Sequence, residues 1–260
     1  MTRLPNLPVG DASFESIRGN GDLYVDKTRH FFDLVNRGKY YFLSRPRRFG
    51  KSLTVSTLRC LFQGKRELFE GLWIGERSDW EWKEYPTILL DFNQISHDTP
   101  ENTEIGLGSS LKDTADTHGL SLKAPLVKEQ FRELILSLRR ETGMPVVVLI
   151  DEYDKPLIDF LGKGEDGMKI AKANRDILKH FLGVLKGGDV ATALRFVFIT
   201  GVSKFSRVSI FSELNNLSDL TMNRRYADML GYTQGELETD FAPYLEAFAE
   251  QRGESRESVI

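Results

Sequence analysis

Short apolar runs alternate along the chain with longer segments of helical spacing. Four runs have the length and the aromatic or β-branched content of buried strands: YYFLS at 40–44, TILLDFNQI at 87–95, VVVLIDEYD at 146–154 and LRFVFITG at 194–201. Because successive positions in each run are apolar, both faces of each strand are expected to be covered. The pattern therefore predicts an α/β fold with a mainly parallel sheet and helices on both of its faces.

Helical segments lie between these strands. A helix-like run from Asp26 stops at Gly38, a residue type common just past helix ends, and apolar positions at 53–62 continue with helical spacing after the first strand. The same spacing is clearest at 127–138 and recurs at 168–186. Strands that alternate with helices in this way are typical of a parallel sheet.

The triplet Gly106-Leu107-Gly108 begins like a dinucleotide-binding fingerprint. It follows a polar stretch, however, and lacks the third glycine that such a fingerprint needs. We therefore expect a flexible loop at 106–108.

The C-terminal segment starts with the sequence of a capping box, formed by Thr233 and Glu236. Apolar residues from Leu237 to Phe248 then predict one amphipathic helix. Its apolar face must pack on something. We expect the start of a small helical subdomain, or a contact with a partner protein or a second copy of the chain.

Composition places the chain among ordinary soluble globular proteins. Of its 260 residues, 40% are hydrophobic, and 35 basic residues against 38 acidic ones give a net charge of −3. These values exclude intrinsic disorder and collagen-like order. The slightly acidic balance provides no general attraction to nucleic acids or to anionic membranes, so such a contact would need a local basic patch.

The cysteine count and the first residues bear on localisation. Cys60 is the single cysteine, so the chain cannot form an internal disulfide, which favours a reducing compartment. The first 30 residues lack the apolar segment of a signal peptide, and no later run approaches the ~20 apolar residues of a membrane span. We expect a cytoplasmic protein without a membrane partner.

The segment RPRRFGKS at 45–52 lies between a predicted strand and a predicted helix. A phosphate-binding loop needs inward-facing backbone amides, a lysine that reaches the β- and γ-phosphates and a hydroxyl for Mg²⁺. Gly50, Lys51 and Ser52 provide the last two of these features, the lysine and the hydroxyl, in the right order. The helix N-terminus adds partial positive charge. A Gly-Lys-Ser tripeptide alone is weak support, but its position between a strand and a helix strengthens the interpretation.

The beginning of this loop departs from the usual pattern. Arg45 stands where the first glycine is usual, so we expect Arg45 to take a backbone conformation that glycine normally supplies. Pro46 has no N–H to donate, so the amides of 47–52 would form the cradle. The alternative is that Arg47 and Arg48 form an ordinary solvated basic turn.

An acidic pair, Asp151 and Glu152, ends the third predicted strand. In nucleoside triphosphatases of this architecture, an acidic residue at such a strand end holds Mg²⁺ and an adjoining glutamate polarises the attacking water. The alternative is an acidic strand end that simply faces solvent. Asp154 and Lys155 follow, and we interpret them as a surface ion pair.

A polar residue on a neighbouring strand would complete such a site by contacting the γ-phosphate. Thr200 ends the fourth predicted strand, and Ser203, Lys204 and Arg207 follow it. A hydroxyl can hydrogen-bond phosphate or water, and Lys204 or Arg207 could neutralise charge in the transition state. Polar residues are common at strand ends, so this signal has low specificity.

Taken together, these segments resemble the AAA-ATPase-like family of P-loop proteins. The resemblance spans nearly the whole chain in the expected order, which makes it more specific than either motif alone. The matching stretches are YVDKT at 24–28, FLSRPRRFGKSL at 42–53, LFEGLWI at 68–74, ILLDFNQIS at 88–96, VVVLIDEYDKPL at 146–157, FITGVSKFSRVSIFSELNNLSDLT at 198–221 and LGYTQGEL at 230–237.

The resemblance implies an ATP-binding domain of the additional-strand, catalytic-glutamate class that uses ATP and Mg²⁺. It suggests Ser52 and Asp151 near Mg²⁺ and Glu152 as the catalytic base. The residues themselves add Lys51 of the loop, and Thr200 and Ser203 at the end of the fourth predicted strand, as further candidate catalytic groups. The nucleotide loop implied by position consists of Arg45, Pro46, Arg47, Arg48, Phe49, Gly50, Lys51, Ser52 and Leu53.

The resemblance also implies a domain organisation. Residues 1–39 would form a lead and a helix packed on the core, 40–228 the P-loop ATPase core, and 229–260 the start of a helical lid. Relatives of this type often continue into a PD-(D/E)XK nuclease-like domain. We therefore expect nucleic acid as a partner only through a downstream domain that these residues do not contain.

The function expected from these residues is slow Mg²⁺-dependent ATP hydrolysis that serves as a conformational switch. One alternative is a nucleotide-binding scaffold with negligible turnover. Another is a nucleic-acid-associated interaction domain that uses Arg45, Arg47 and Arg48 against the phosphate backbone. The preference for adenine over guanine rests on the resemblance, because the sequence contains no motif that reads the base.

Overall fold

The fold of the chain is given by a computed structural model, which describes residues 4–203, 217–255 and 258. Within them, five parallel strands form one sheet with the order β2-β3-β4-β1-β5. The strands are β1 (Tyr40–Ser44), β2 (Thr87–Asp91), β3 (Val146–Asp151), β4 (Leu194–Gly201) and β5 (Ser218–Asp219).

Helices connect and flank these strands. The α-helices of the described residues are α1 (Phe14–Asn20), α2 (Thr28–Arg37), α3 (Lys51–Phe62), α4 (Pro100–Thr117), α5 (Val127–Thr142), α6 (Lys155–Ile158), α7 (Gly164–Gly183), α8 (Gly188–Ala193), α9 (Gln234–Thr239) and α10 (Ala242–Arg252). Short 3-10 turns lie at Arg66–Phe69, Val184–Lys186 and Arg224–Tyr226. None of these helices combines the length and the apolar character that crossing a membrane requires.

The sheet is covered on both faces, as the apolar runs predict. In β1, Tyr40 and Phe42 belong to a core shared with α4, α5 and α7, whereas Tyr41 and Leu43 belong to a core shared with α1, α2 and α3. All residues of β1 and β3 are buried. The hydrophobic effect therefore fixes these strands in the middle of a three-layer α/β/α arrangement.

The register of the strands brings three carboxyl ends together. Ser44 of β1 lies opposite Gly201 of β4, and Ile150 of β3 lies opposite Ile199 of β4. Because β4 separates β1 from β3, the loop after β1 and the acidic end of β3 face each other across the end of β4. Ligands of open α/β sheets bind at such carboxyl ends.

The second and third strands are both shorter than the sequence predicts, and β3 ends at Asp151. β2 ends at Asp91 because the Asp91 carboxylate accepts hydrogen bonds from the amide of Asn93 at 2.9 Å and from the side chain of Gln94 at 2.9 Å. Such a side-chain turn competes with strand hydrogen bonding.

The prediction of a flexible loop at 106–108 was wrong, because these residues lie inside α4. A Cβ atom at Gly106 would lie 3.1 Å from Ile95 Cγ2 and 3.1 Å from the backbone of Ser96. The glycine therefore permits close packing of the helix against the segment after β2.

The predicted C-terminal helix is divided into two. The capping box of Thr233 and Glu236 is present at the start of α9. α9 ends at Thr239, and Pro243 then lies in the first turn of α10. A proline is tolerated in a first helical turn but not in a helix interior, so it accounts for the break.

Candidate functional site

The loop between β1 and α3 bends through two left-handed residues. Arg48 has φ 67° and Gly50 has φ 84°, and Gly50 immediately precedes the first residue of α3, Lys51. Among the described residues, no side chain caps the N-terminus of α3. The first amides of this helix are therefore available to an anion.

Arg45 does not take the glycine-like conformation that we expected, because Arg48 and Gly50 are the loop residues with positive φ. The amide of Arg45 instead donates to the carbonyl of Gly201 at 3.2 Å, which extends the pairing of β1 with β4. Its guanidinium donates to the carbonyls of Ser44 and Thr221. Arg45 therefore fastens the start of the loop to neighbouring backbone.

Lys51 carries a buried ammonium group. The residue is 4% exposed, and its Nζ donates to the carbonyl of Pro46 at 3.1 Å. Burial lowers the pKa of Lys51 from its usual 10.5, and the negative charges of Glu152, Asp151 and Asp154 act against that shift. Lys51 therefore faces the acidic end of β3, although none of the described carboxylates lies within ion-pair distance of it.

The end of β3 is joined to β4 through one hydroxyl group. Thr200, which is fully buried, donates its hydroxyl hydrogen to the carboxylate of Asp151 and accepts the amide of Glu152 at 3.2 Å. The carbonyl of Thr200 accepts the amide of Tyr153 at 3.0 Å. Three consecutive residues at the end of β3 are thus held by a single residue of β4.

Glu152 is held in a left-handed backbone conformation with φ 53°. For a residue with a side chain this costs on the order of 1–2 kcal/mol, and such strain is concentrated at functional sites. Burial raises the pKa of Glu152 above its usual 4.5, as does the negative charge of Asp151, whereas Lys51, Lys155 and Arg47 act in the opposite direction.

Asp154 does not form the surface ion pair that we expected with Lys155. It is fully buried, and its carboxylate accepts the amides of Val202 at 3.1 Å and Ser203 at 2.6 Å. Burial raises the pKa of Asp154 against the effect of these amides. Lys155 pairs instead with Asp159, at 3.1 Å.

A cavity of about 650 Å³ lies beside the loop. Its walls include loop residues 48–54, Glu152, the N-terminal segments 8–12 and 23–25, and the segment 229–232. The part away from the loop is lined largely by apolar side chains. A volume of this size is typical of small-molecule and cofactor sites.

The remaining predicted site residues lie around this cavity or close to it. Ser52 is half-buried in the cavity wall, and its hydroxyl has no hydrogen-bond partner among the described residues. Phe49 and Arg47 are exposed, and Arg47 lies 3.9 Å from Asp159. Ser203 meets the site through its backbone, whereas Lys204 and Arg207 lie outside the described residues.

The sequence motifs did not identify Lys27, which also lines the cavity. Lys27 is 8% exposed and forms an ion pair with Glu236 at the start of α9. The pair connects the N-terminal part of the chain to the C-terminal helices. The stretch YVDKT and the capping box each contain one partner, but nothing in the sequence indicates that the two meet.

The oxygen groups near the loop fit a Mg²⁺–nucleotide complex. No three His, Cys, Asp or Glu side chains in the described part of the chain come together as a complete metal site. Mg²⁺ in nucleotide sites needs few protein ligands, because phosphates and waters supply the others. The free hydroxyl of Ser52 and the carboxylate of Asp151 are hard oxygen ligands of the required kind.

Comparison with known proteins gives the family. The family model of the AAA-ATPase-like proteins, described as "Predicted AAA-ATPase", matches residues 8–211, which is most of the chain. The chain belongs to the AAA-ATPase-like family. The resemblance based on the sequence motifs is therefore confirmed, and the all-parallel sheet flanked by helices is consistent with it.

This AAA-ATPase-like chain is also similar to a protein of Azotobacter chroococcum mcd 1 that is named "Uncharacterized protein in vnfD 5'region". The two are 40% identical over 240 residues, which make up 92% of this chain and 45% of the relative. The chain thus spans less than half the length of that relative.

Proposed function

We propose that this chain binds ATP with Mg²⁺ and hydrolyses it slowly, as a conformational switch. The observation that carries the proposal is the buried ammonium of Lys51. It lies at an uncapped helix N-terminus, faces the acidic end of β3 and has no described carboxylate at ion-pair distance. A buried cation without a counter-charge at contact distance is costly, and a triphosphate supplies the missing negative charge.

The loop from Arg45 to Leu53 is proposed as the nucleotide loop, or Walker A motif. Its amides and Lys51 hold the phosphates, with Arg48 and Gly50 providing the sharp turns. The strand order supports the additional-strand class of P-loop proteins, because β4 lies between the loop strand β1 and the acidic strand β3.

Ser52 and Asp151 are proposed to hold Mg²⁺. Charge neutralisation on the β- and γ-phosphates is the chemistry that the bound ion supplies. Thr200 restrains the Asp151 carboxylate by donating a hydrogen bond to it. On this basis Thr200 contributes by orienting Asp151, in addition to any contact with phosphate or water.

Glu152 is proposed as the base of the Walker B strand end. It accepts a proton from water while the water oxygen bonds to the γ-phosphorus, and the bond from that phosphorus to the β–γ bridging oxygen breaks, releasing ADP and phosphate. Its raised pKa brings its proton affinity closer to that needed for a base near neutral pH.

The experiment is a measurement of phosphate release and ATP affinity in the wild type and in Glu152→Gln. We expect Glu152→Gln to lower turnover by about 10²-fold or more, with ATP affinity within about threefold of the wild type. Glu101→Gln, which alters an exposed glutamate of α4, is the matched control and should leave both unchanged. Equal, negligible turnover in the wild type and Glu152→Gln would support the scaffold instead.

The alternative of a nucleic-acid-associated domain receives less support from the loop arginines. Arg45 is engaged with backbone carbonyls, and the exposed Arg48 lines the cavity, which leaves Arg47 as the exposed arginine outside the cavity wall. DNA or RNA binding that is salt-dependent and unaffected by Lys51→Ala would favour this alternative.

We extend the proposal to the organisation of the chain. Residues 40–228 act as the ATPase core, 1–39 pack on it, and 229–260 begin a helical lid whose position depends on the nucleotide. The Lys27–Glu236 ion pair supports a link between the lid and the cavity. We also propose that the last helix, α10, provides a surface for a partner protein or for a second copy of the chain. The proposed location of the protein is the cytoplasm.

A further inference from the structure

Asp154 is a buried carboxylate three residues beyond the end of β3. It is fully buried, and the hydrogen bonds from other residues that it accepts come from backbone amides, those of Val202 and Ser203. Within the described part of the chain no cation lies at contact distance from it, so the two amides are the groups that hold this carboxylate in place.

The residues of the turn after β3 pack closely against Gly201. A Cβ atom at Gly201 would lie 2.8 Å from Asp154 Oδ1 and 2.5 Å from Cε1 of Tyr153. Tyr153 is fully buried, and its hydroxyl donates to the carbonyl of Ser203 at 3.3 Å. The turn after β3 and the turn after β4 are thus pressed together, with glycine as the contact.

Hydrogen bonds join these two turns along their length. Residues 151–154 and 200–203 form what we call the strand-end clamp. At one end Thr200 holds Asp151 and Glu152, and at the other Asp154 holds the amides that follow Gly201. Movement of the turn after β4 would therefore shift the hydroxyl of Thr200. This hydroxyl orients Asp151 and holds the strained backbone of Glu152.

We propose that Asp154 is a positioning residue for hydrolysis: by fixing the turn after β4, it keeps Thr200 where it orients Asp151 and Glu152 for the Mg²⁺–ATP complex. This inference rests on the proposed function. Asp154 touches neither nucleotide nor metal in this role, and it acts through Thr200.

The variant Asp154→Asn tests the role with almost no change in volume. In an asparagine the two amides share one neutral acceptor oxygen, and an NH₂ group replaces the second carboxylate oxygen, so the hydrogen bonds of the clamp are weakened. Hydrogen bonds to charged groups are worth enough that we expect amide exchange at Val202 and Ser203 to become about tenfold faster or more. This exchange is measured in the nucleotide-free protein, so it reports on the clamp without any activity.

The second measurement compares the affinity for ATP in EDTA with the affinity in Mg²⁺. We expect metal-free ATP affinity within about twofold of the wild type, because Lys51 and the loop amides are untouched. The gain in affinity on adding Mg²⁺ should shrink by about fivefold or more, and turnover per bound nucleotide should fall by about tenfold or more. Turnover is normalised to binding stoichiometry, so a loss of folded protein cannot imitate the effect.

The control is Thr103→Val, which removes a fully buried hydroxyl that donates to Asn174 at 2.9 Å in the packing of α4 against α7. It should lower the melting temperature and leave exchange at 202–203 and the Mg²⁺ effect unchanged. If Asp154→Asn is recovered unfolded, the same measurements are made on Asp154→Ser. This variant leaves space for a water molecule that can accept hydrogen bonds from the two amides.

Unchanged exchange at Val202 and Ser203 in the Asp154 variant would overturn the clamp. An equal loss of metal-free and Mg²⁺-dependent affinity, in step with the melting temperature, would overturn the positioning role and leave a structural one. Failure of the proposed function is a separate result, seen as absence of ATP binding by the wild type.

Discussion

The hydroxyl of Thr200 donates a hydrogen bond to the buried carboxylate of Asp151. The two residues belong to neighbouring parallel strands, and the same hydroxyl accepts the amide of Glu152 at 3.2 Å. A threonine is well suited to this position, because its hydroxyl can both donate and accept a hydrogen bond. The orientation of the acidic strand end therefore depends on one oxygen atom of β4.

We predict that Thr200→Val lowers turnover by about tenfold to a hundredfold, because it preserves the shape of the side chain and removes that oxygen. Thr200→Ser keeps the hydroxyl and should retain most of the turnover, which makes it the matched control. Phosphate release normalised to bound nucleotide measures both. Equal turnover in Thr200→Val and the wild type would show that the hydroxyl does not orient the site.

We predict that Gly201→Ala lowers the free energy of unfolding by roughly 1–3 kcal/mol, because the new methyl group would overlap Tyr153 and Asp154. Gly188→Ala is the control, since a Cβ at Gly188 meets nothing within 4 Å. Urea denaturation monitored by circular dichroism measures the difference. A Gly201→Ala protein as stable as Gly188→Ala would mean that the two turns do not pack as closely as described.

A third prediction concerns ATP affinity at alkaline pH. Burial lowers the pKa of Lys51 below 10.5, so in the free protein the ammonium loses its proton at a lower pH than an exposed lysine does. Bound phosphates favour the charged form, so ATP affinity should fall as the pH rises, starting below 10.5. Titrations with a fluorescent ATP analogue follow the affinity across this range.

The comparison variant for that titration is Lys51→Met. It should bind ATP weakly, with an affinity that does not change over the same alkaline range. A wild-type affinity that stays constant until the pH exceeds 10.5 would contradict a buried, unpaired ammonium.

The layers of the fold could be predicted from the sequence because burial leaves a direct signature in it. The runs at 40–44 and 194–201 correspond to β1 and β4 residue for residue. The failures come from interactions that are distant along the chain. Gly106 lies in a helix that packs closely against the segment after β2, a contact that the sequence does not reveal. Neither the two-residue strand β5 nor the helix α1 has an apolar run long enough to predict it.

The candidate site could be predicted only in part, for a similar reason. Lys51 and the pair Asp151 and Glu152 stand in local motifs, and parallel pairing brings their strands together. The partners of Asp154 and Lys27 are tertiary contacts made across about 50 and 200 residues of sequence. A motif gives residue types and their spacing. It does not show that the buried charge of Asp154 is bound by backbone amides, or that the buried charge of Lys27 is bound by a carboxylate.

The last prediction concerns the ion pair between Lys27 and Glu236. Burial acts to raise the pKa of Glu236, but hydrogen bonds from Lys27 and from the amide of Thr233 hold it below its usual 4.5. A carboxyl with a depressed pKa in the folded state contributes stability that is present above 4.5 and is lost as the pH falls through the folded value. Glu236→Gln should therefore destabilise the protein most at neutral pH, by roughly 1–3 kcal/mol, since it also leaves Lys27 buried and unpaired.

Urea denaturation of the wild type and Glu236→Gln, at pH values from about 7 down to about 4, measures this difference. The two proteins should become closer in stability as the solution is acidified, because a protonated Glu236 resembles glutamine. Glu250→Gln changes an exposed glutamate of α10 and should differ from the wild type by less than about 0.5 kcal/mol throughout. If the effect of Glu236→Gln is as small as that of Glu250→Gln at neutral pH, the ion pair does not hold the C-terminal helices against the N-terminal part of the chain.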